Sequence, residues 1–82
     1  MFTFIFHIDP GHGWLEVPEC IVKALNVRVS QYSYKYGDKL YLEEDCDALR
    51  FDKAIKEAGI KYHTISMRYA ESAPIRNYQR CS

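Results

Sequence analysis

The start of the chain alternates in hydrophobicity and then breaks off in a segment of special backbone residues. Phe2, Phe4 and Phe6 share one side of this run, which is the two-residue period of a β-strand with an apolar face. Residues 9–13, Asp-Pro-Gly-His-Gly, combine a turn-forming aspartate, a proline and two glycines, so the chain has to bend there. The sequence therefore predicts a central strand that ends in a sharp turn.

The same kinds of pattern predict the other elements. Alternation predicts strands at residues 14–17, 29–36, 39–43 and 62–69. Apolar spacing predicts helices at residues 18–25, with Asn26 as a left-handed cap, and from an N-cap at Asp45 to a stop at Gly59. The predicted fold class is α+β: a single domain over residues 1–70 with the order ββαββαβ, a mostly antiparallel sheet and two helices packed on one face. Residues 71–82, which include Pro74, are expected to form an extended C-terminal tail.

A hairpin rich in tyrosine is the most distinctive part of the predicted sheet. Gly37 and Asp38 form a two-residue turn signal, and pairing through this turn places Tyr34 opposite Tyr41. The leucines of the returning strand fall on the other side and belong in the core. Two interpretations stay open: the tyrosines form an outward binding face, or they lie under a helix and fill the core.

Size and charge limit the function classes. A chain of 82 residues supports one core and leaves little material for an enclosed reaction chamber. Eleven basic and eleven acidic residues give no net charge, so the molecule as a whole has no field that would attract nucleic acid or an anionic membrane. Locally, acids concentrate at residues 43–52, whereas the C-terminal end is basic.

The cysteines and the apolar runs indicate a compartment. The three cysteines are odd in number and widely spaced, which argues against a disulfide framework or a CxxC site and favours a reducing cytosol. No apolar run reaches the length of a transmembrane span. We therefore expect a cytoplasmic protein with no membrane partner and no cofactor.

The segment Asp9-Pro10-Gly11-His12-Gly13 resembles the opening motif of zinc-dependent N-acetylmuramoyl-L-alanine amidases. The resemblance covers about six residues and implies that His12 is a metal ligand. Those enzymes need a further glutamate and a second histidine, and a catalytic zinc needs three protein ligands with an open fourth position. The candidate metal ligands here are His7, Asp9, His12 and His63, with Glu16 as a further carboxylate. The alternative is a turn in which the glycines serve the backbone and His12 is a surface side chain.

A second resemblance spans nearly the whole chain. It rests on residues 7–18, the hairpin from Tyr32-Ser33-Tyr34 to Gly37-Asp38, the block at residues 41–48 and Pro74-Ile75-Arg76-Asn77-Tyr78. These segments are similar to a family of short, uncharacterised open reading frames from phages, plasmids and bacterial genomes. The resemblance implies a small protein of a mobile element, a class rich in inhibitors that occupy a host surface.

These observations favour an interaction protein rather than an enzyme. We expect an inhibitor of a host defence or nucleic-acid enzyme, similar in manner to an anti-CRISPR protein, that binds a host protein complex sterically. Tyrosine and arginine are typical of recognition surfaces. The predicted binding residues are Trp14, Tyr32, Tyr34, Tyr36, Tyr41, Arg68, Arg76 and Arg80.

Two alternative functions stay open. A nucleic-acid module would stack bases on the tyrosines and contact phosphates through the C-terminal arginines. A metal-dependent hydrolase would use the histidine set given above. A homodimer is compatible with either, because a small open sheet leaves edges that can pair with a second copy.

Overall fold

The computed structural model describes residues 3–60, 64–71 and 74–81. Six strands and two α-helices follow one another there: β1 (Thr3–Ile8), β2 (Gly13–Pro18), α1 (Glu19–Ala24), β3 (Tyr34–Tyr36), β4 (Lys39–Glu43), α2 (Asp47–Glu57), β5 (Thr64–Tyr69) and β6 (Gln79–Arg80). A 3-10 helix, Pro74–Asn77, lies between β5 and β6. The strands form one sheet in the order β5-β1-β2-β4-β3-β6, in which β1 and β5 are parallel and the other pairs antiparallel.

The α+β class and the mostly antiparallel sheet are confirmed, but the predicted element order is incomplete. The order ββαββαβ holds through β5, and it lacks the 3-10 helix and β6. Instead of an extended tail, the C-terminal segment (residues 74–81) adds a strand to β3, with Arg80 opposite Tyr34. The Cys81 N–H donates to the Ser33 carbonyl at 2.8 Å. A strand of two residues carries no detectable period, so sequence pattern alone could not find it.

The hairpin register is confirmed at the pairs that form, but β3 covers only the last three residues of the strand predicted at residues 29–36. The preceding residues leave the sheet, where the Ser30 and Ser33 hydroxyls donate hydrogen bonds to Asp47. Tyr34 pairs with Tyr41 and Tyr36 with Lys39, around a turn in which Gly37 has φ +61°. Asn26 also adopts a left-handed conformation, with φ 57°, just past Leu25, the C-cap of α1. These features depend on neighbouring residues alone, which is why the sequence predicts them.

The start of α2 differs from the prediction. The helix begins at Asp47, and the exposed Asp45 lies in the preceding turn and does not cap it. Cys46 occupies the N-cap position without a side-chain capping bond. Asp47 is instead turned inward, where it binds Ser30 and Ser33. This buried network takes precedence over the local capping preference on which the prediction relied.

Each face of the sheet carries a buried cluster, and the two clusters are covered by different parts of the chain. On one face, α1 and α2 pack on the sheet through a cluster that includes Phe4, Leu42 and Phe51. On the other face, Trp14, Tyr34 and Tyr41 form a smaller buried cluster with Ile75, and Tyr78 packs against it. The tyrosine face is therefore partly buried, and its cover is the C-terminal segment with its 3-10 helix rather than α1 or α2.

Gly13, the first residue of β2, has no room for a side chain. A Cβ atom there would lie 2.5 Å from Cε1 of Phe6 and 2.9 Å from an oxygen of Glu44. The φ of Gly13 is not in the left-handed region, so the backbone conformation does not require a glycine here. The glycine is required instead because β1 and the end of β4 approach each other closely at this position.

Among the helices of the described residues, none is long and apolar enough to cross a membrane.

Candidate aromatic cleft

A cleft of about 350 Å³ opens on the tyrosine face of the sheet. It lies where the turn after β1, the segment before β3, the end of β4 and β6 come together. We call it the aromatic cleft, and its lining residues are His12, Trp14, Tyr32, Tyr34, Glu43, Cys46 and Arg80.

The floor of the aromatic cleft is rigid. Trp14 and Tyr34 are 2% and 8% exposed, and their rings meet edge to face with centroids 6.3 Å apart. His12 stacks on Trp14 at 5.8 Å with nearly parallel rings. Asp9 holds the turn that positions His12, because its Oδ1 accepts the N–H groups of Gly11 and His12 at 3.0 and 2.9 Å. Aromatic rings fixed in this way offer contact area at little cost in conformational entropy.

A guanidinium group lies over this floor. The Cζ atom of Arg80 is 5.2 Å from the centroid of the Tyr34 ring, within the range of a cation–π contact. Its Nη1 also donates to the Gln31 carbonyl at 3.4 Å. Within the described part of the chain, no carboxylate forms an ion pair with Arg80. The ring faces of the cleft therefore already accommodate a cation.

One side of the cleft, beside Trp14, is acidic. Burial raises the pKa of the Glu43 carboxyl group, and the nearby charges of Asp45 and Glu44 raise it further, against the lowering effect of the Asp45 N–H bond at 3.0 Å. Its backbone is anchored by Ser33, whose Oγ accepts the Glu43 N–H at 3.0 Å. An ionised Glu43 is consequently stabilised by any cation that enters the cleft.

Tyr32 forms the accessible rim. Its side chain is 58% exposed, while its N–H donates to Ser30 Oγ at 3.2 Å. The backbone on which it sits is thus tied to the network around Asp47. The backbone of Tyr32 is held by a hydrogen bond while its ring is accessible to a partner, which is the arrangement expected of a contact residue.

A separate polar cluster lies near the centre of the same sheet face. His7 Nε2 donates to Glu16 Oε1 at 2.8 Å, and Tyr41 also hydrogen-bonds to Glu16. Burial, followed by the negative charge of Glu16, raises the pKa of Tyr41 to about 12. A cavity of about 130 Å³ adjoins these groups, and Arg68 and Tyr78 also line it.

Alkaline pH should therefore destabilise the protein through Tyr41. In the unfolded chain a tyrosine ionises near its ordinary pKa of 10.0, whereas in the fold Tyr41 keeps its proton to about 12. The folded state binds more protons in this window, so stability is intact below pH 10 and falls as the pH rises toward 12. The free energy of unfolding should drop by about 2 kcal/mol at pH 12.

Urea unfolding at pH 8 to 11.5 measures this effect. Tyr41→Phe should start from a lower stability, because the bond to Glu16 is lost, and should decline less steeply with pH than the wild type. Equal slopes for the two proteins would show that Tyr41 does not contribute to the alkaline loss.

The structure brings together four of the eight residues predicted to bind a partner. Trp14, Tyr32, Tyr34 and Arg80 all line the aromatic cleft. The remaining four lie elsewhere or are not described: Tyr41 is buried beside Glu16, Tyr36 stacks on Tyr78 with centroids 4.6 Å apart, Arg68 lines the smaller cavity, and for Arg76 only the backbone, in the 3-10 helix, is described.

The candidate metal ligands have other partners. His7 binds Glu16, Asp9 holds the turn, and His12 stacks on Trp14. His63 lies outside the described residues. In the ranges that the structure describes, no three histidine, cysteine, aspartate or glutamate side chains are grouped so that they could hold a metal ion.

Sequence reasoning did not assign Glu43 and Cys46 to the cleft. Glu43 ends β4 and Cys46 follows it, in an acidic block whose sequence pattern is typical of a solvated helix start. Their position depends on the Glu44 N–H bond to the Gly13 carbonyl, at 3.0 Å, which brings this block against the turn after β1. No local sequence pattern predicts that contact.

Comparison with protein families, curated proteins and solved structures found no match to this chain.

Proposed function

We propose that this chain is a protein-binding module whose partner inserts a side chain into the aromatic cleft. The observation that carries the proposal is the combination in one cleft of a rigid aromatic floor, an exposed tyrosine rim and a carboxylate wall. Protein interfaces concentrate their binding energy in such places, where an anchor residue fills a pocket lined by aromatic and arginine side chains. The small size of the chain leaves this outer surface as the working part of the molecule.

The electrostatics of the cleft favour a basic anchor. Glu43 lines the wall, and Glu44 and Asp45 follow it in the same turn, whereas Arg80 is the one lysine or arginine that lines the cleft among the described residues. A lysine or arginine of the partner would offset the burial and the neighbouring negative charges that raise the pKa of Glu43. The aromatic rings provide the faces on which such a cation stacks.

The same charges disfavour nucleic acid as the occupant. A base could stack on Tyr32, but its phosphates would approach the carboxylates of the acidic turn. Binding to single-stranded DNA or RNA, with an affinity that falls steeply with salt, would contradict the proposal and favour that alternative.

The mode of action we propose is steric. Within the described residues the cleft contains no metal-binding cluster, and its side chains suit recognition. A module that covers a host surface in this way can inhibit the complex to which it binds. The resemblance to open reading frames of mobile elements favours a host defence or nucleic-acid complex as the target.

Tyr32→Ala should weaken partner binding at least tenfold, which corresponds to about 1.4 kcal/mol. Because Tyr32 is largely exposed, the substitution should leave the unfolding free energy within about 0.5 kcal/mol of the wild type. The measurement is quantitative mass spectrometry of host-cell proteins retained by the immobilised chain, followed by titration with the recovered partner.

The matched control is Tyr36→Ala. Tyr36 is 62% exposed, against 58% for Tyr32, and it belongs to the same hairpin region but does not line the cleft. Its replacement should change affinity less than twofold. Equal losses for the two variants would move the binding site from the cleft to the hairpin at large.

Glu43→Gln tests the charge of the anchor. The variant should lower affinity for a basic partner about fivefold, since a carboxylate contact is lost. It should not lower stability at pH 7, because the ionised form of a carboxyl group with a raised pKa disfavours the fold there. Unchanged or tighter binding would exclude a basic anchor.

A further inference from the structure

The outer edge of β5 differs from the other edge of the sheet. β6, at the far edge, has two residues and ends in Arg80, whereas β5 has six residues. Within the ranges that the structure describes, β5 pairs only with β1. Natural proteins protect such edges by short length, charge or proline, and Arg68 is the single charged residue of β5.

An uncovered apolar strip accompanies this edge. The register places Met67 beside Phe6 and Tyr69 beside Ile8, on the helix face of the sheet. The helix layer ends before it reaches them: Phe51 of α2 meets Phe4 of β1 with ring centroids 5.6 Å apart. Met67 and Tyr69 lie farther along the paired strands than this contact, and their side chains are 66% and 65% exposed.

The backbone of β5 presents alternate residues outward. The Ala70 N–H donates to the Ile8 carbonyl at 2.9 Å, so position 70 faces β1. Because successive residues of a strand direct their N–H and C=O groups to opposite sides, positions 65, 67 and 69 direct theirs away from the sheet. Met67 therefore combines an exposed side chain with outward backbone groups.

We propose that a second copy of this chain pairs with β5 in antiparallel fashion, on a twofold axis that passes through Met67. In this register position 65 faces position 69 of the other copy, and Met67 faces its own equivalent. All three outward positions then form hydrogen-bonded pairs, each of which exchanges two N–H···O bonds. The helix faces of the two copies join on one side of a continuous sheet, and their apolar strips come into contact.

Two features favour this register over registers shifted by one or two residues: the alternation of the strand and the charge of Arg68. A shift by one residue would oppose outward positions to inward ones and place the two helix faces on opposite sides. A shift by two in one direction would set Arg68 against Arg68, which is destabilising, and in the other direction would leave Tyr69 beyond the paired strands. In the proposed register Arg68 faces Ser66 of the second copy.

A cysteine cross-link tests the register directly. In a Cys20→Ser background, which removes the exposed native cysteine, Met67→Cys should form a disulfide-linked dimer under mild oxidation. Cα atoms of a hydrogen-bonded antiparallel pair are about 5.5 Å apart, within the range of a disulfide. Tyr69→Cys is the matched control: its equivalents would be roughly 14 Å apart, so it should not cross-link. Equal cross-linking at both positions would overturn the register.

Sedimentation of the wild-type chain over a range of concentrations tests the dimer itself. The wild type should show a reversible dimer, and Met67→Lys should weaken it at least tenfold by opposing two ammonium groups on the axis. Leu49→Lys, at an equally exposed apolar residue of α2, should leave the dimer unchanged. A wild type that stays monomeric at high concentration, or a dimer that Leu49→Lys disrupts as strongly, would overturn the proposal. Neither result bears on the aromatic cleft, which involves other strands.

Discussion

Replacing Asp47 with alanine should lower the free energy of unfolding by about 4 kcal/mol, a large share of the stability of a domain of this size. Asp47 is the first residue of α2 and is fully buried. Its Oδ2 accepts hydrogen bonds from the Ser30 N–H at 2.9 Å, from the Ser30 hydroxyl at 2.8 Å and from the Ser33 hydroxyl. Hydrogen bonds to a charged acceptor are the stronger class in proteins.

This carboxylate joins three parts of the chain. Ser33 Oγ, besides donating to Asp47, accepts the Glu43 N–H, so α2 is connected through Ser33 to the end of β4. Among the described residues, the other oxygen, Oδ1, has no hydrogen-bond donor, and Arg50 Nη1 lies 3.7 Å from it. Alanine at position 47 would leave the buried Ser33 hydroxyl and the Ser30 N–H without their acceptor, and each orphaned group costs about 1–3 kcal/mol.

Urea unfolding of three variants measures the contribution of Asp47. Asp47→Asn keeps the shape and one acceptor oxygen but loses the charge, so its loss should be about 2 kcal/mol. Asp45→Ala removes an exposed acid from the same turn and should change stability by less than about 0.5 kcal/mol. A loss below about 1 kcal/mol for Asp47→Ala would show that water replaces the carboxylate as acceptor for Ser30 and Ser33.

The parts of the fold that the sequence predicts are those that short-range chemistry determines. The hairpin register follows from the glycine at position 37 and from alternation on both sides of it. The left-handed residues at Asn26 and Gly59 end their helices where expected. In each case the residues that decide the conformation are neighbours in the chain.

The parts that the sequence could not predict depend on distant contacts. β1 pairs in parallel with β5, some sixty positions away in the chain, and no local pattern specifies that partner. The inward position of Asp47 likewise depends on Ser30 and Ser33, whereas the local pattern favoured Asp45 as the cap. Tertiary hydrogen bonds of this kind override local preferences because a buried carboxylate cannot be left without donors.

For the aromatic cleft, residue types were predictable but burial was not. Tyrosine and tryptophan indicated a recognition surface, and Trp14, Tyr32, Tyr34 and Arg80 do meet there. Whether Tyr34 and Tyr41 were exposed could not be decided, because their cover is the C-terminal segment. Its anchoring residue, Ile75, is the one branched aliphatic residue in the sequence from 71 to 82 and gives no periodic signal.

Replacing Ile75 with alanine should lower the free energy of unfolding by about 3 kcal/mol. Ile75 is fully buried, and it packs with Trp14, Tyr34 and Tyr41. Truncation removes buried methyl and methylene groups and leaves a cavity over the rings. Because Ile75 is the fully buried side chain of the C-terminal segment on these rings, with Tyr78 packed beside it, the substitution should also loosen the segment locally.

Trp14 provides a direct reading of that local effect. It is the only tryptophan of the chain and is 2% exposed beneath the C-terminal segment. Its native fluorescence emission should therefore shift to longer wavelength in Ile75→Ala, while far-ultraviolet circular dichroism remains that of a folded protein. A loosened segment also moves Arg80 away from Tyr34, so partner binding at the aromatic cleft should weaken with it.

Ile55→Ala separates this effect from general destabilisation. Ile55 is as fully buried as Ile75, but it belongs to the cluster on the helix face. Its truncation should cost a similar amount of stability without changing the native emission of Trp14, because the C-terminal segment stays in place. An unshifted emission in Ile75→Ala, or an equal shift in both variants, would mean that Ile75 does not hold the cover over the aromatic rings. The C-terminal segment would then pair with β3 without helping to hold Trp14 and Tyr34 in place, and the sheet alone would fix these rings.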